Sequence, residues 1–182
     1  MTYFELFDIS PSFDVDLTHL KAKYRQLQQQ YHPDRQQPEQ SSNQALQQSS
    51  QINQGYQTLI HADSRAAYLL QLNKQDGGLE NSIGDLEFLQ HALELREQLE
   101  EASTTEQLDS LRVEVTQWLA ALSREFKIDL EEKDWVDARD TTRKLRFIQR
   151  VLLDIDKAED RFDEFGSEGF SDDLDAAFDD EL

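Results

Sequence analysis

The chain has 182 residues with 18 basic and 38 acidic side chains, a net charge of −20, and no cysteine. The lack of cysteine excludes disulfides, thiolate nucleophiles and any cysteine-ligated metal or iron–sulfur centre on this chain. Its charge would repel a phosphate backbone, and no apolar run approaches the roughly 20 residues of a membrane span, so we expect neither nucleic acid nor membrane as a partner.

Apolar residues recur with helical spacing along nearly the whole chain, and no stretch alternates with the period of a strand. This pattern predicts an all-α fold. The first part of the chain predicts a short helix over Tyr3–Phe7 and longer helices over about 17–31 and 40–60. A fourth, shorter helix covers about 63–72. Gly55 stands inside the third helix, where a glycine is costly.

The second part of the chain begins after a break at Asp76-Gly77-Gly78. Three amphipathic patterns follow and predict helices over about 85–102, 105–128 and 132–158. The connections between them are short, which favours antiparallel neighbours and hence a three-helix bundle.

The C-terminal segment 159–182 is acidic, with phenylalanines spaced along it. This composition predicts a disordered tail that keeps the protein soluble. An alternative is a short binding motif around Leu174, Ala177 and Phe178. A second alternative is that the tail competes for the basic residues near the N-terminus.

The tripeptide His32-Pro33-Asp34 lies between two long amphipathic helices. Alone, it does no more than end a helix, because the residue before a proline is pushed away from helical angles. The helix before it carries Lys21, Lys23 and Arg25, and the first and last of these share a face because they are four residues apart. The sequence shows no cluster of catalytic partners for His32 and no nucleophile near it, so it does not predict a catalytic role for this residue.

With the segments Ile52–Tyr56 and Arg65–Tyr68, the tripeptide and its basic helix resemble the J domain of the DnaJ superfamily. The resemblance implies an ATPase chaperone of the DnaK class as partner, bound by the loop and by the helix before it. It assigns to this contact His32, Pro33, Asp34, Lys21, Lys23, Arg25 and Arg35. No Gly/Phe-rich linker or zinc module follows, which argues against a general carrier of unfolded proteins.

The predicted helix 85–102 carries more apolar surface than one core requires. On a helical wheel of about 100° per residue, one stripe contains Phe88, Ala92, Leu95 and Leu99. Leu86, Leu89 and Leu93 form a second ridge, with Glu97 and Glu100 beside it. On the last helix, Phe147 and Val151 lie opposite the core face. Exposed apolar side chains of this kind are candidate interface anchors. The alternatives are a helix that contacts both neighbours, a stray surface phenylalanine, or a contact of Phe147 with the J domain.

The segments Phe88–Glu97 and Thr142–Phe147 resemble the HscB family, the J-type co-chaperones of iron–sulfur cluster assembly, as do Tyr3–Phe7 and Ala66–Leu70. The resemblance spans about residues 1–155. It implies a C-terminal bundle that binds the scaffold protein IscU, through Leu89, Leu93 and Phe147 with Glu94, Glu97 and Glu101 as acidic neighbours. Gln90 stands where an apolar residue is expected, which predicts a weaker or differently shaped interface.

The sequence therefore predicts an all-α chain with a J domain, 1–75, of two long antiparallel helices plus short ones. A linker, 76–84, a three-helix scaffold-binding bundle, 85–158, and the acidic tail follow. We expect a monomeric co-chaperone of the bacterial cytoplasm, without metal, cofactor or catalytic residue. It would stimulate the ATPase of an HscA/DnaK-type chaperone and deliver IscU to it. A J-domain adaptor for another client is the alternative. An enzyme is disfavoured because no phosphate loop appears and the histidines are scattered: His19, His32, His61 and His91.

Overall fold

The computed structural model describes residues 1–31 and 42–168, apart from the side chains of 42–45 and 163–168. Within these ranges it contains seven α-helices and no strand, which confirms the all-α prediction. The helices are α1 (Tyr3–Leu6), α2 (Leu17–Gln30), α3 (Ser42–Ile60), α4 (Ala62–Leu72), α5 (Leu86–Glu101), α6 (Thr105–Glu132) and α7 (Trp135–Glu168).

Helix α7 extends past its predicted end at 158 and reaches Glu168. Residues 159–168, predicted to belong to the tail, are thus helical, and residues 169–182 lie outside the described part of the chain. The helix continues because Ile155 and Ala158 are buried and Phe162 is half-buried, so the apolar spacing persists beneath the dense charge.

The chain divides into two compact units, and α6 and α7 contribute to both. Unit 1 contains Met1–Ile83 and Leu122–Arg146, and unit 2 contains Gly84–Ala121 and the chain from Phe147 onward. Each unit is described by itself. The predicted limits of the J domain and of the bundle remain predictions.

The core of unit 1 forms where α1, α2 and α3 meet. Its fully buried side chains come from all three helices and from α4, because each helix has an apolar stripe. The rings of Tyr24 on α2 and Tyr56 on α3 stack with their centroids 4.0 Å apart, and the Tyr24 hydroxyl donates to the side chain of Asn53 at 2.9 Å. The central buried residues are Phe4, Phe7, Leu20, Ile52, Leu59 and Leu70.

The segment predicted as a linker is bound by arginines of α7, all within unit 1. Arg143 donates to the carbonyl of Gly78 at 3.0 Å, and Arg146 donates to the carbonyl of Leu79 at 3.1 Å. The Leu79 side chain is buried. Two long-range hydrogen bonds and the burial of Leu79 therefore hold this segment in place, which its Gly-rich sequence did not predict.

Gly55 allows α1 to lie close against α3. A Cβ atom at this position would come within 2.8 Å of the Tyr3 ring and 3.0 Å of the Phe7 ring. Neither ring has room to move, because Phe7 is fully buried and the Tyr3 ring packs on Tyr68 with centroids 4.8 Å apart. The close approach explains why a glycine stands inside a long helix.

We expect Gly55→Ala to destabilise the protein. Alanine favours a helix by about 1 kcal/mol over glycine, but overpacking a filled core costs about 1–3 kcal/mol. The net loss should be about 1 kcal/mol, within a range of about 0–2 kcal/mol, measured by urea unfolding. Gly77→Ala is the matched control, because a Cβ at Gly77 meets nothing within 4 Å. An equal loss in both variants would contradict this explanation.

Asp129 in the last turn of α6 is a buried carboxylate in unit 1. It accepts a hydrogen bond from the Thr141 hydroxyl at 2.9 Å. Burial raises the pKa of Asp129, and the nearby carboxylates Glu125, Asp137 and Asp134 raise it further, against the opposing effect of the Thr141 hydrogen bond. Because the folded state prefers the protonated acid, this carboxyl lowers stability as the pH rises from the unfolded pKa of aspartate, about 3.9, to the raised folded pKa, and the loss is complete above it.

Asp129→Asn should therefore stabilise the protein at pH 7. Asparagine keeps an acceptor for Thr141 and removes a negative charge from a helix C-terminus, an effect of about 0.5–1 kcal/mol. The gain should shrink as the pH falls towards the unfolded value of aspartate, about 3.9. Urea unfolding at several pH values measures it. Asp109→Asn, on the exposed surface of α6, is the control, and a pH-independent gain would refute the assignment.

The core of unit 2 contains residues from α5, α6 and α7. Arg112 on α6 crosses to α7, where its guanidinium binds both Glu159 and Asp156. These carboxylates hold the pKa of Arg112 above its usual range, Glu159 with the larger effect. The buried side chains of the core include Phe88, Ala92, Leu95, Leu108, Leu111, Val115, Ile148, Val151 and Ile155.

Candidate partner-binding surfaces

The basic helix α2 begins at Leu17 because Asp16 caps it. The Asp16 carboxylate accepts from the backbone amides of Thr18 at 2.9 Å and His19 at 3.0 Å, which satisfies donors that the first turn leaves free. Leu20 is fully buried and fixes the rotation of the helix. This rotation decides which of the predicted basic residues face solvent.

Lys21 and Arg25 are exposed on one face of α2, whereas Lys23 is only partly exposed. The Lys23 side chain is 26% exposed, and its ammonium group lies 3.6 Å from the carboxylate of Asp8. Of the predicted chaperone-binding residues, the structure thus brings together Lys21 and Arg25, which we call the basic face of α2. His32, Pro33, Asp34 and Arg35 lie outside the described residues.

Helix α5 in unit 2 has one buried and one exposed apolar stripe. Asp85 caps it by accepting from the Phe88 amide at 3.0 Å, and Phe88, Ala92 and Leu95 are buried. The second stripe, which we call the leucine ridge, remains in solvent, with exposed fractions of 80% for Leu86, 40% for Leu89 and 58% for Leu93. A helix that buries both stripes, the simpler explanation from the sequence, is therefore excluded.

Phe147 is half-buried and packs against α5, within unit 2. Its ring meets Phe88 edge to face with centroids 5.8 Å apart, and the Arg96 guanidinium lies 5.3 Å from its centroid. Val151 is buried. The prediction that Phe147 and Val151 stand on a surplus outer face of α7 is thus wrong, because α5 covers that face. The Phe147 ring packs against the buried face of α5.

The predicted acidic residues of α5 are exposed on one side of the leucine ridge, at different distances from it. On a wheel of about 100° per residue centred on Leu93, Glu97 lies at about 40°, whereas Glu94 and Glu101 lie at about 100° and 80°. Glu94 accepts a hydrogen bond from Gln90 at 3.2 Å. Glu100 lies about 20° from Leu93 on the other side. The resemblance did not assign Glu100, although the wheel places it beside the ridge.

The chemistry of these surfaces is that of protein binding. The ridge offers apolar area with a carboxylate rim, and α2 offers two cations that can attract an acidic partner. Among the side chains that the structure describes, no group of three or more histidine or acidic residues is placed to bind a metal ion. Within residues 1–31 and 42–168, no helix is long and apolar enough to cross a membrane.

Two family models match the chain in the predicted order. The DnaJ domain matches residues 2–68, and the HSCB C-terminal oligomerisation domain matches residues 84–156. The first match includes the basic face of α2, and the second includes the leucine ridge and Phe147.

Related proteins and solved structures carry the same family name. A co-chaperone protein HscB homolog of Acinetobacter baumannii is 60% identical over 161 residues, which cover 88% of this chain and 92% of the relative. The chaperone HscB from Vibrio cholerae superposes with a TM-score of 0.72 at 34% identity, covering 88% of this chain and 99% of that one. The human co-chaperone HscB gives a TM-score of 0.73 at 27% identity, covering 87% and 82%.

Proposed function

The chain belongs to the HscB family of J-domain co-chaperones, and from that premise we propose that it stimulates the ATPase of an HscA/DnaK-type chaperone and delivers the scaffold protein IscU to it. The family acts in iron–sulfur cluster assembly, and its J domain implies an Hsp70-type partner. The main support for the proposed delivery of IscU is the exposed leucine ridge on α5.

The chaperone contact is assigned to the loop His32-Pro33-Asp34 with Arg35 and to the basic residues of α2. Lys21 and Arg25 are expected to contribute more to chaperone binding, because their charges are exposed and would attract an acidic surface. Lys23 is expected to contribute less, since its ammonium group already has a partner in Asp8.

The scaffold contact is assigned to Leu89 and Leu93, two side chains whose apolar area is available to a partner without rearrangement. Phe147 contributes by supporting α5 rather than by standing free. Glu97 and Glu100 form the nearest acidic rim, and Glu94 and Glu101 extend it. Such a division into apolar centre and polar rim is typical of protein interfaces.

In this proposal the chain is a non-enzymatic adaptor. It holds chaperone and scaffold in one complex, so that each meets the other at a raised effective concentration. We propose that it does so as a monomer in the bacterial cytoplasm, with no metal or cofactor of its own.

The test is the rate of ATP hydrolysis by the chaperone with the chain, with the scaffold, and with both. The proposal expects the chain and the scaffold together to accelerate hydrolysis by more than the product of their separate effects. Failure of the chain to accelerate it at all would refute the chaperone assignment. Acceleration by the chain with no added effect of the scaffold would favour a J-domain adaptor for another client, for which the departure at Gln90 is the supporting observation.

A further inference from the structure

A groove runs between the last turns of α5 and the part of α7 from Val151 to Phe162, within unit 2. It encloses about 880 Å³. Its floor is apolar, and the two helices leave it open to solvent. The floor side chains are Leu99, Ala102, Val151, Ala158 and Phe162.

The rim of the groove carries the guanidinium groups of Arg96 and Arg161, together with Lys157 and the carboxylates of Glu100, Asp154 and Asp160. Neither guanidinium forms an ion pair with any carboxylate in the described part of the chain. Arg96 lies over the Phe147 ring, and Arg161 donates to the carbonyl of Lys157 at 3.3 Å. Lys157 is paired with Asp154 at 3.0 Å. An apolar segment could cover the floor, and carboxylates on its flanks could pair with the two arginines where they lie away from Glu100 and Asp160.

The C-terminal segment of this chain has that chemistry. Residues 169–182 contain six acidic and no basic side chains. Leu174, Ala177 and Phe178 stand at helical spacing, so they would share one face in a helical turn. The sequence thus provides an apolar stripe flanked by negative charge.

The chain is also long enough to return to the groove. Helix α7 ends at Glu168, and the floor residues Ala158 and Phe162 lie roughly 9–15 Å back along it, at about 1.5 Å per residue. The five residues 169–173 span up to about 17 Å when extended. Gly169 directly follows α7, and glycine is the residue that most readily permits a reversal.

We propose that Leu174–Phe178 docks in the groove between α5 and α7, with its flanking carboxylates on Arg96 and Arg161. A tethered segment competes well against free partners, because a short linker gives an effective concentration in the millimolar range. This inference does not depend on the proposed function. It does place an acidic segment beside Phe147, since Arg96 borders both the groove and that ring.

The experiment uses the full chain with the single substitution Ala177→Cys, which carries a nitroxide spin label. The label is unique because the chain has no cysteine of its own. The proposal expects the amide signals of Leu99 and Ala158 to lose more than half of their intensity, while that of Leu86, about 20 Å from Leu99 along α5 at about 1.5 Å per residue, is largely retained. If the docking is intramolecular, the signal losses do not change on dilution. They are also absent when a spin-labelled chain without isotopes is mixed with an isotope-labelled chain without a spin label.

Charge-reversal variants distinguish docking of the C-terminal segment through the arginines from its chance proximity to the groove. Arg161→Glu should restore the Leu99 and Ala158 signals at least twofold, whereas Arg124→Glu, the same change at an exposed site of α6, should not. High salt should also restore them, because it screens exposed charges. Full intensity in the original labelled protein would overturn the proposal. So would losses that appear only between chains, since the groove would then bind a second copy.

Discussion

Replacing His32 by glutamine is expected to abolish stimulation of the chaperone ATPase while scaffold binding remains unchanged. Glutamine keeps a polar side chain of similar reach but loses the imidazole ring, and Pro33 and Asp34 stay in place. We expect stimulation to fall at least tenfold, which corresponds to about 1.4 kcal/mol. Single-turnover ATP hydrolysis by the chaperone measures the first effect, and calorimetric titration with the scaffold measures the second.

His19→Gln is the matched control for this substitution. His19 is exposed on α2 and lies about 160° from Lys21 on the helical wheel, away from the basic face. It should behave as wild type in both assays. The chaperone assignment fails if His32→Gln stimulates within twofold of wild type. Joint loss of stimulation and scaffold binding would instead indicate a folding defect.

The helices themselves could be predicted from the sequence because their apolar spacing is regular. The predicted starts at about 17, 85 and 105 agree closely with α2, α5 and α6, since Asp16 and Asp85 cap the first two and short polar segments precede all three. Where local signals and packing agree, a single sequence is sufficient to predict where a helix begins.

The end of α7 could not be predicted in the same way. Dense charge after 158 suggested disorder, yet buried Ala158 and the pairing of Glu159 with Arg112 extend the helix. The pairing joins residues 47 positions apart, and a pattern within one segment cannot reveal such a contact. Gly55 is a similar case, because its cause lies in the rings of α1.

The candidate site was only partly visible in the sequence. The wheel correctly separated the leucine ridge from the core stripe of α5, because that separation depends on one helix alone. It placed Phe147 on an outer face, because a single helix does not show which neighbour covers it. Likewise, Lys23 was grouped with Lys21 and Arg25 by charge, although its ion pair with Asp8 depends on tertiary packing.

Leu93→Asp is expected to reduce scaffold affinity by about ten- to hundredfold, or about 1.4–2.8 kcal/mol, the range of an interface hot spot. The substitution removes apolar area from the leucine ridge and adds a charge beside Glu97, which a partner would have to desolvate. Because Leu93 is 58% exposed, the fold should tolerate the change. Calorimetric titration with the scaffold measures the affinity, and chaperone stimulation without scaffold should remain at the wild-type level.

Val113→Asp provides a closely matched control, since Val113 lies on α6 in the same unit and is also 58% exposed. It should bind the scaffold as wild type does. Phe147→Ala is a less specific probe, because truncation would uncover Phe88 and cost stability as well as affinity. Equal losses in Leu93→Asp and Val113→Asp would show that the ridge is not the binding surface.

The two variants together test whether one chain must hold both partners. A mixture of His32→Gln and Leu93→Asp contains one intact surface of each kind, but on different molecules. If the chain acts by raising effective concentration, the mixture should not recover the joint stimulation by chain and scaffold, because no single molecule bridges the two. Recovery to the wild-type rate would mean that the surfaces act independently, and the adaptor mechanism would then be wrong even though both contacts were real.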